Sequence, residues 1–112
     1  FENIVIEKEA IVARLADESL FSVDIVEYLI KKGLSFREAH DTVGRLVRDS
    51  LDKDNNISGL TKSELKKYSS KLDTDVRNIL NPLASVNLKI SYGSTNPRLV
   101  AKQIAKWNKR LK

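Results

Sequence analysis

Asp52, Asp54 and Asn56 alternate along the polar stretch Asp52–Gly59, the spacing of positions one, three and five in a calcium loop. Position six of such a loop needs Gly for its sharp turn and is Ile57 here. Position twelve needs a bidentate acid and is Ser63, with Glu64 one place late. The stretch therefore reads as a solvated connector. His40 is the single imidazole of the chain. Arg37, Glu38 and Asp41 beside it would suit a proton shuttle. No second group at matching spacing completes an acid–base pair, so a structural role is expected. Ser91–Thr95 is a small-residue turn ahead of a helix start, where free amides can meet an anion. It lacks the glycine pattern and the Lys of a nucleotide phosphate loop and reads as a tight turn. The absence of Cys excludes a disulfide framework, a thiolate metal site and a cysteine nucleophile. These residues assign no catalytic, cofactor-binding or metal-ligating position.

The elements that would position such groups are short and mostly helical. Glu7–Glu18 carries Ala10, Ile11, Leu15 and Ala16 on a helical period. A second helix is predicted over Val23–Lys32, with Ser22 as its N-cap, Asp24 in its first turn and Gly33 as its left-handed stop. Ser35-Phe36-Arg37-Glu38 is a capping box. It opens a third helix to about Asp52 whose apolar stripe is Phe36, Ala39, Val43, Leu46, Val47 and Leu51. Gly44 sits inside that helix at a cost of about 1 kcal/mol relative to Ala, and a close helix crossing is expected beside it. Thr61–Glu64 is a second capping box, opening a helix through about Tyr68, and Asp73 begins a short helix carrying Val76, Ile79 and Leu80. Asn81-Pro82 and Asn96-Pro97 each read as an N-cap followed by Pro at the first helical position. Between them Val86, Leu88, Ile90 and Tyr92 alternate with polar residues, which suits either a short extended segment over 86–92 or helical turns. The fold class is mainly all-α, a small domain of stacked helical hairpins.

Length and charge narrow the function classes. A chain of 112 residues with 41% hydrophobic and 31% charged residues is one small domain. No apolar run is long enough to span a bilayer, and the start is too acidic for a secretory signal. A soluble, cytoplasmic protein is expected. Residues 1–56 hold eight basic and twelve acidic side chains, while residues 57–112 hold twelve basic and three acidic. The last segment, Arg98–Lys112, has six basic residues and no acid. Its apolar residues Val100, Ile104, Trp107 and Leu111 share one helical face. This segment could serve a small basic nucleic-acid-binding module. The simpler expectation is a terminal helix that packs its stripe on the domain and solvates its cations. The pair of helices joined by Gly33-Leu34 imitates a DNA-reading hairpin. Its second helix balances Arg37, Arg45 and Arg48 against Glu38, Asp41 and Asp49, which makes a poor groove reader.

The run Val23–Gly44 closely resembles the C-terminal domain of argininosuccinate lyases. That family has Asp-Leu-Ala-Asp-Tyr-Leu, then Lys-Gly, then Pro-Phe-Arg-Glu-Ala-His and Val-Gly. Here Phe36-Arg37-Glu38-Ala39-His40 matches as a block, with Ser35 in place of Pro. Asp75-Val76, Asn81-Pro82 with Ser85-Val86, and Gly93-Ser94-Thr95-Asn96-Pro97 are similar to further blocks in the same order. Val100 and Gln103-Ile104 match the closing helix, so the resemblance covers about residues 20–105. It implies two stacked helical hairpins. It also implies a protein of arginine biosynthesis that cleaves argininosuccinate to arginine and fumarate without a cofactor. Members are homotetramers with active sites shared between subunits around a central helical bundle. The family's catalytic loop, Gly-Ser-Ser-x-Met-Pro-x-Lys-x-Asn, has no match in a chain without Met. The resemblance therefore transfers pathway and fold but no catalytic residue.

The expected organisation is a lead-in from a central helical domain over residues 1–19 and a lyase C-terminal-like domain over 20–112. A chain beginning at Phe1 without Met is expected to be processed, disordered at its start or part of something longer. The expected role is accessory and non-catalytic in isolation. The expected partner is the remainder of a lyase-like chain or its homotetramer, rather than nucleic acid or membrane.

Overall fold

The computed structural model describes residues 2–112. Among them the order is α1 (Lys8–Leu15), a 3-10 turn (Glu18–Phe21), α2 (Ser22–Lys31) and α3 (Phe36–Asp52). A second 3-10 turn (Ile57–Gly59), α4 (Lys62–Tyr68), a 3-10 helix (Thr74–Ile79), α5 (Pro82–Asn87) and α6 (Pro97–Leu111) follow. The protein is all-helical, with no strand among the described residues. The chain divides into two compact units, one ending at Asn81 and one running from Pro82 to Lys112.

The first unit is built on a helical hairpin. Ile25, Val26 and Leu29 of α2 face Ala39, Val43 and Leu46 of α3, spacings that put each set on one helical face. Ile57, Leu65, Leu72 and Val76 complete the buried cluster, drawn from the second 3-10 turn, α4 and the segment after it. Each fully buried Leu or Ile contributes about 1.5–3 kcal/mol relative to exposure. Gly33 makes the hairpin turn with φ +104, which a Cβ would oppose. The Leu34 amide donates back to the Leu29 carbonyl at 3.1 Å and closes the end of α2. Ser35 then caps α3. Its hydroxyl accepts from the Glu38 amide at 3.3 Å, and Glu38 Oε2 accepts from the Ser35 amide at 2.9 Å. Thr61 and Glu64 repeat the arrangement at α4.

Polar ties fix the pieces around this core. The Ser58 amide donates to Glu18 Oε2 at 3.0 Å, holding the second 3-10 turn to the first. The Tyr68 hydroxyl donates to Asp49 Oδ2 at 2.7 Å, joining α4 to α3. Asp73 accepts from the Thr74 amide at 2.7 Å and faces Lys66 at 3.5 Å and Lys62 at 3.6 Å. The backbone bond to Thr74, helped by the two lysines, lowers its carboxyl pKa to about 2.

In the second unit Pro82 and Pro97 are the first residues of their helices. Asn96 caps α6 by accepting from the Arg98 amide at 3.0 Å, and its Nδ2 donates to the Asn87 carbonyl at 3.0 Å. That second bond ties the end of α5 to the start of α6.

Several expectations are corrected. Ser22 is not an N-cap but the first residue of α2, because the helix continues out of the preceding 3-10 turn. Asp17 caps that 3-10 turn, accepting from the Ser19 amide at 3.0 Å. The extended alternative for 86–92 is overturned. Val86 ends within α5, and Leu88, Ile90 and Tyr92 lie exposed in the connector to α6. Period two alone makes no strand without a partner edge. Phe36 and Leu51, assigned to the packed stripe of α3, are 67% and 66% exposed. Among the described residues, no atom outside the local backbone of α3 lies within 4 Å of where a Gly44 Cβ would stand, so no close helix crossing is seen there.

Candidate functional site

The first candidate, His40, lies on the outer side of α3 with its side chain 68% exposed. Phe36, one turn earlier, sets its ring 6.0 Å from the imidazole, and Asp41 Oδ1 stands 3.8 Å from Nδ1. Glu38 is engaged by Ser35 in the capping box, which holds its carboxyl below the ordinary range. A carboxylate committed to a helix cap does not serve as partner to an imidazole. The structure thus brings His40 to Phe36 and Asp41.

The polar loop after α3 turns through Asp54, whose φ of +50 is the left-handed conformation that Asp tolerates. The Ser50 hydroxyl donates to the Asn55 carbonyl across it. Among the described residues no group of three or more His, Asp or Glu side chains is placed to hold a metal ion. The Ser91–Thr95 turn bends through Gly93 at φ +80, and the Ser94 hydroxyl donates to the Lys89 carbonyl at 2.7 Å.

One polar cluster has no forewarning in the sequence. The Tyr28 hydroxyl of α2 donates to Asp75 Oδ1, and Lys32 Nζ stands 3.1 Å from Asp75 Oδ2 and 4.6 Å from the centre of the Tyr28 ring. The hydrogen bond from Tyr28, then Lys32, lowers the Asp75 carboxyl. Burial, then the bond to Asp75, raises the Tyr28 phenol, so it stays protonated and acts as a donor. The cluster clamps the 3-10 helix after Asp73 against α2. Tyr28 and Lys32 share a helical face by their spacing of four, but Asp75 lies 47 residues from Tyr28, and no local pattern links them.

The broadest features are exposed apolar faces. Ile4, Val5, Ile6, Ile11 and Val12 lie open at the N-terminal end. On α6 no residue is buried: Val100, Ile104, Trp107 and Leu111 are exposed, and the Arg110 guanidinium sits 5.3 Å from the Trp107 ring. Between α2 and α3 a shallow groove of ≈ 280 Å³ runs past Val23, Val26, Val43 and Val47 to Gly44. Exposed apolar residues grouped on one face can mark interaction sites. Among the described residues no helix is long and apolar enough to cross a membrane.

Residues 20–87 match the protein-family model described as argininosuccinate lyase C-terminal. The chain is 34% identical over 110 residues to the argininosuccinate lyase of Oceanobacillus iheyensis, covering 98% of this chain and 24% of that protein. It is 36% identical over 110 residues to the chloroplastic argininosuccinate lyase of Arabidopsis thaliana, again 98% of this chain and 21% of the relative. A Hydrogenobaculum lyase is 38% identical over 89 residues, 80% of this chain and 19% of its own length. The chain thus spans about a quarter or less of the length of these relatives.

Proposed function

Because the chain belongs to the argininosuccinate lyase C-terminal family, we propose that it serves as the accessory C-terminal domain of a lyase that splits argininosuccinate into arginine and fumarate. In this reading residues 20–112 form the domain, residues 1–19 lead into it, and its place is the cytoplasm. Its partner is the remainder of a lyase chain, and its role is to cover and support an active site made elsewhere. The observation that carries the reading is that 98% of this chain aligns with a stretch making up only 24% of the Oceanobacillus protein. The exposed apolar faces support it, since they offer surface for a much larger partner.

Elimination needs a base beside the carboxylate-bearing carbon and an acid at the leaving guanidinium. Each such group, once positioned, supplies about 10²–10⁴-fold. His40 is the single imidazole, 68% exposed on a helix with Asp41 at 3.8 Å, a poor setting for either role. The isolated chain is therefore expected to release no fumarate from argininosuccinate, followed by ultraviolet absorbance. Turnover by the chain alone that is lost on His40→Ala would refute the accessory reading.

A further inference from the structure

Gly44 costs α3 about 1 kcal/mol relative to Ala, yet among the described residues nothing beyond the local backbone of α3 lies within 4 Å of its missing Cβ. The reason for a glycine there has to come from outside the chain or not at all. Around it runs a second stripe on α3, distinct from the buried one. Phe36, His40, Gly44, Val47 and Leu51 are separated by four, four, three and four residues, and so share one face. All are exposed except the half-buried Val47. This stripe borders the groove that α3 makes with Val23 and Val26 of α2.

Charge indicates the occupant. Arg37, Asp41, Arg48 and Asp52 line the edge of the stripe away from α2. If α3 of a second copy lies antiparallel, with the two-fold axis beside Gly44, Asp41 falls opposite Arg48 of the other copy and Arg37 opposite Asp52. Both pairs are opposite in sign, and the two-fold makes each occur twice. Phe36 of one copy then meets Leu51 of the other at both ends, and Gly44 lies where the helices come closest. Such a contact is self-complementary and closes on itself as a dimer.

We propose that the outer face of α3 is a two-fold interface with a second copy of this chain, crossed at Gly44 and set in register by Asp41–Arg48 pairs. The proposal does not depend on the lyase reading. Its test is the oligomeric state of the 112-residue chain by sedimentation equilibrium across a concentration series. A reversible dimer is expected. Asp41→Arg and Arg48→Asp each place like charges opposite one another and should raise its dissociation constant about tenfold or more, with the larger loss at low salt. The double variant Asp41→Arg/Arg48→Asp restores opposite signs and should return the constant to within about threefold of the parent. Gly44→Leu should give a monomer of unimpaired helicity, since a Cβ at this position meets nothing among the described residues. A monomer at every concentration overturns the proposal, including the case in which a lyase segment covers this face instead. A dimer indifferent to both single charge reversals, or one that the double variant fails to rescue, overturns it equally.

Discussion

At the scale of single residues, Gly44 is a reserve of stability that the isolated chain does not use. Its surroundings are open and its φ is not left-handed, so Ala fits without strain. In dilute solution Gly44→Ala is expected to stabilise the chain by about 0.4–1 kcal/mol, read from urea midpoints. A lower midpoint would mean that some part of this chain approaches the site. Asp73 acts in the opposite sense, as a charge the fold relies on. Its carboxyl ionises at about 2 in the folded chain, below its ordinary 3.8, because the Thr74 amide and then Lys62 and Lys66 favour the anion. A folded pKa below the unfolded one adds stability that is complete above about pH 5 and disappears as pH falls towards 2. The difference in melting temperature between the parent and Asp73→Asn should therefore be constant from pH 7 to about 5 and close between about 4 and 2. A gap that persists at pH 2 would show that the carboxylate is not its source. A helical glycine signals an approach, but the sequence does not say whose backbone approaches.

Among the elements, those with chemistry at their ends were the legible ones. Ser35 with Glu38, Thr61 with Glu64, Gly33, Pro82 and Pro97 each mark a boundary by a hydrogen bond or a φ that the residue itself supplies. The run after Pro82 was ambiguous, because alternating Val86, Leu88, Ile90 and Tyr92 mimics a strand. Alternation becomes a strand only with a neighbouring edge to pair with, and such an edge is a long-range fact. The Tyr28–Asp75 clamp escaped for the same reason. α6 shows a different limit. Its amphipathic pattern is plain, but spacing alone does not say what surface the stripe meets. Six cations without an acid from Arg98 to Lys112 are a composition from which at most weak, sequence-indifferent binding to nucleic acid is expected. Anisotropy titrations with a labelled duplex should show binding that collapses between about 50 and 200 mM salt through counterion release. Salt-resistant preference for one sequence would instead make nucleic acid the partner of this helix.

For the whole molecule, the route to the native state follows from the hairpin turn at Gly33. α2 and α3 are joined by four residues, and their facing side chains, Ile25 to Leu46, lie within 22 positions of one another. Closing so short a loop forfeits little chain entropy, and both helices carry their own stop and start signals. Leu72 and Val76 must come back to the same cluster from more than 40 residues beyond α2 and are expected to arrive late. In stopped-flow refolding, Val43→Ala should mainly slow folding, whereas Val76→Ala should mainly hasten unfolding. The reverse pattern would place the nucleus in the later segments. If the hairpin does form first, a ribosome that has released little more than the first half of this chain already holds its organising contact. The segments that follow then assemble on a surface that is waiting for them.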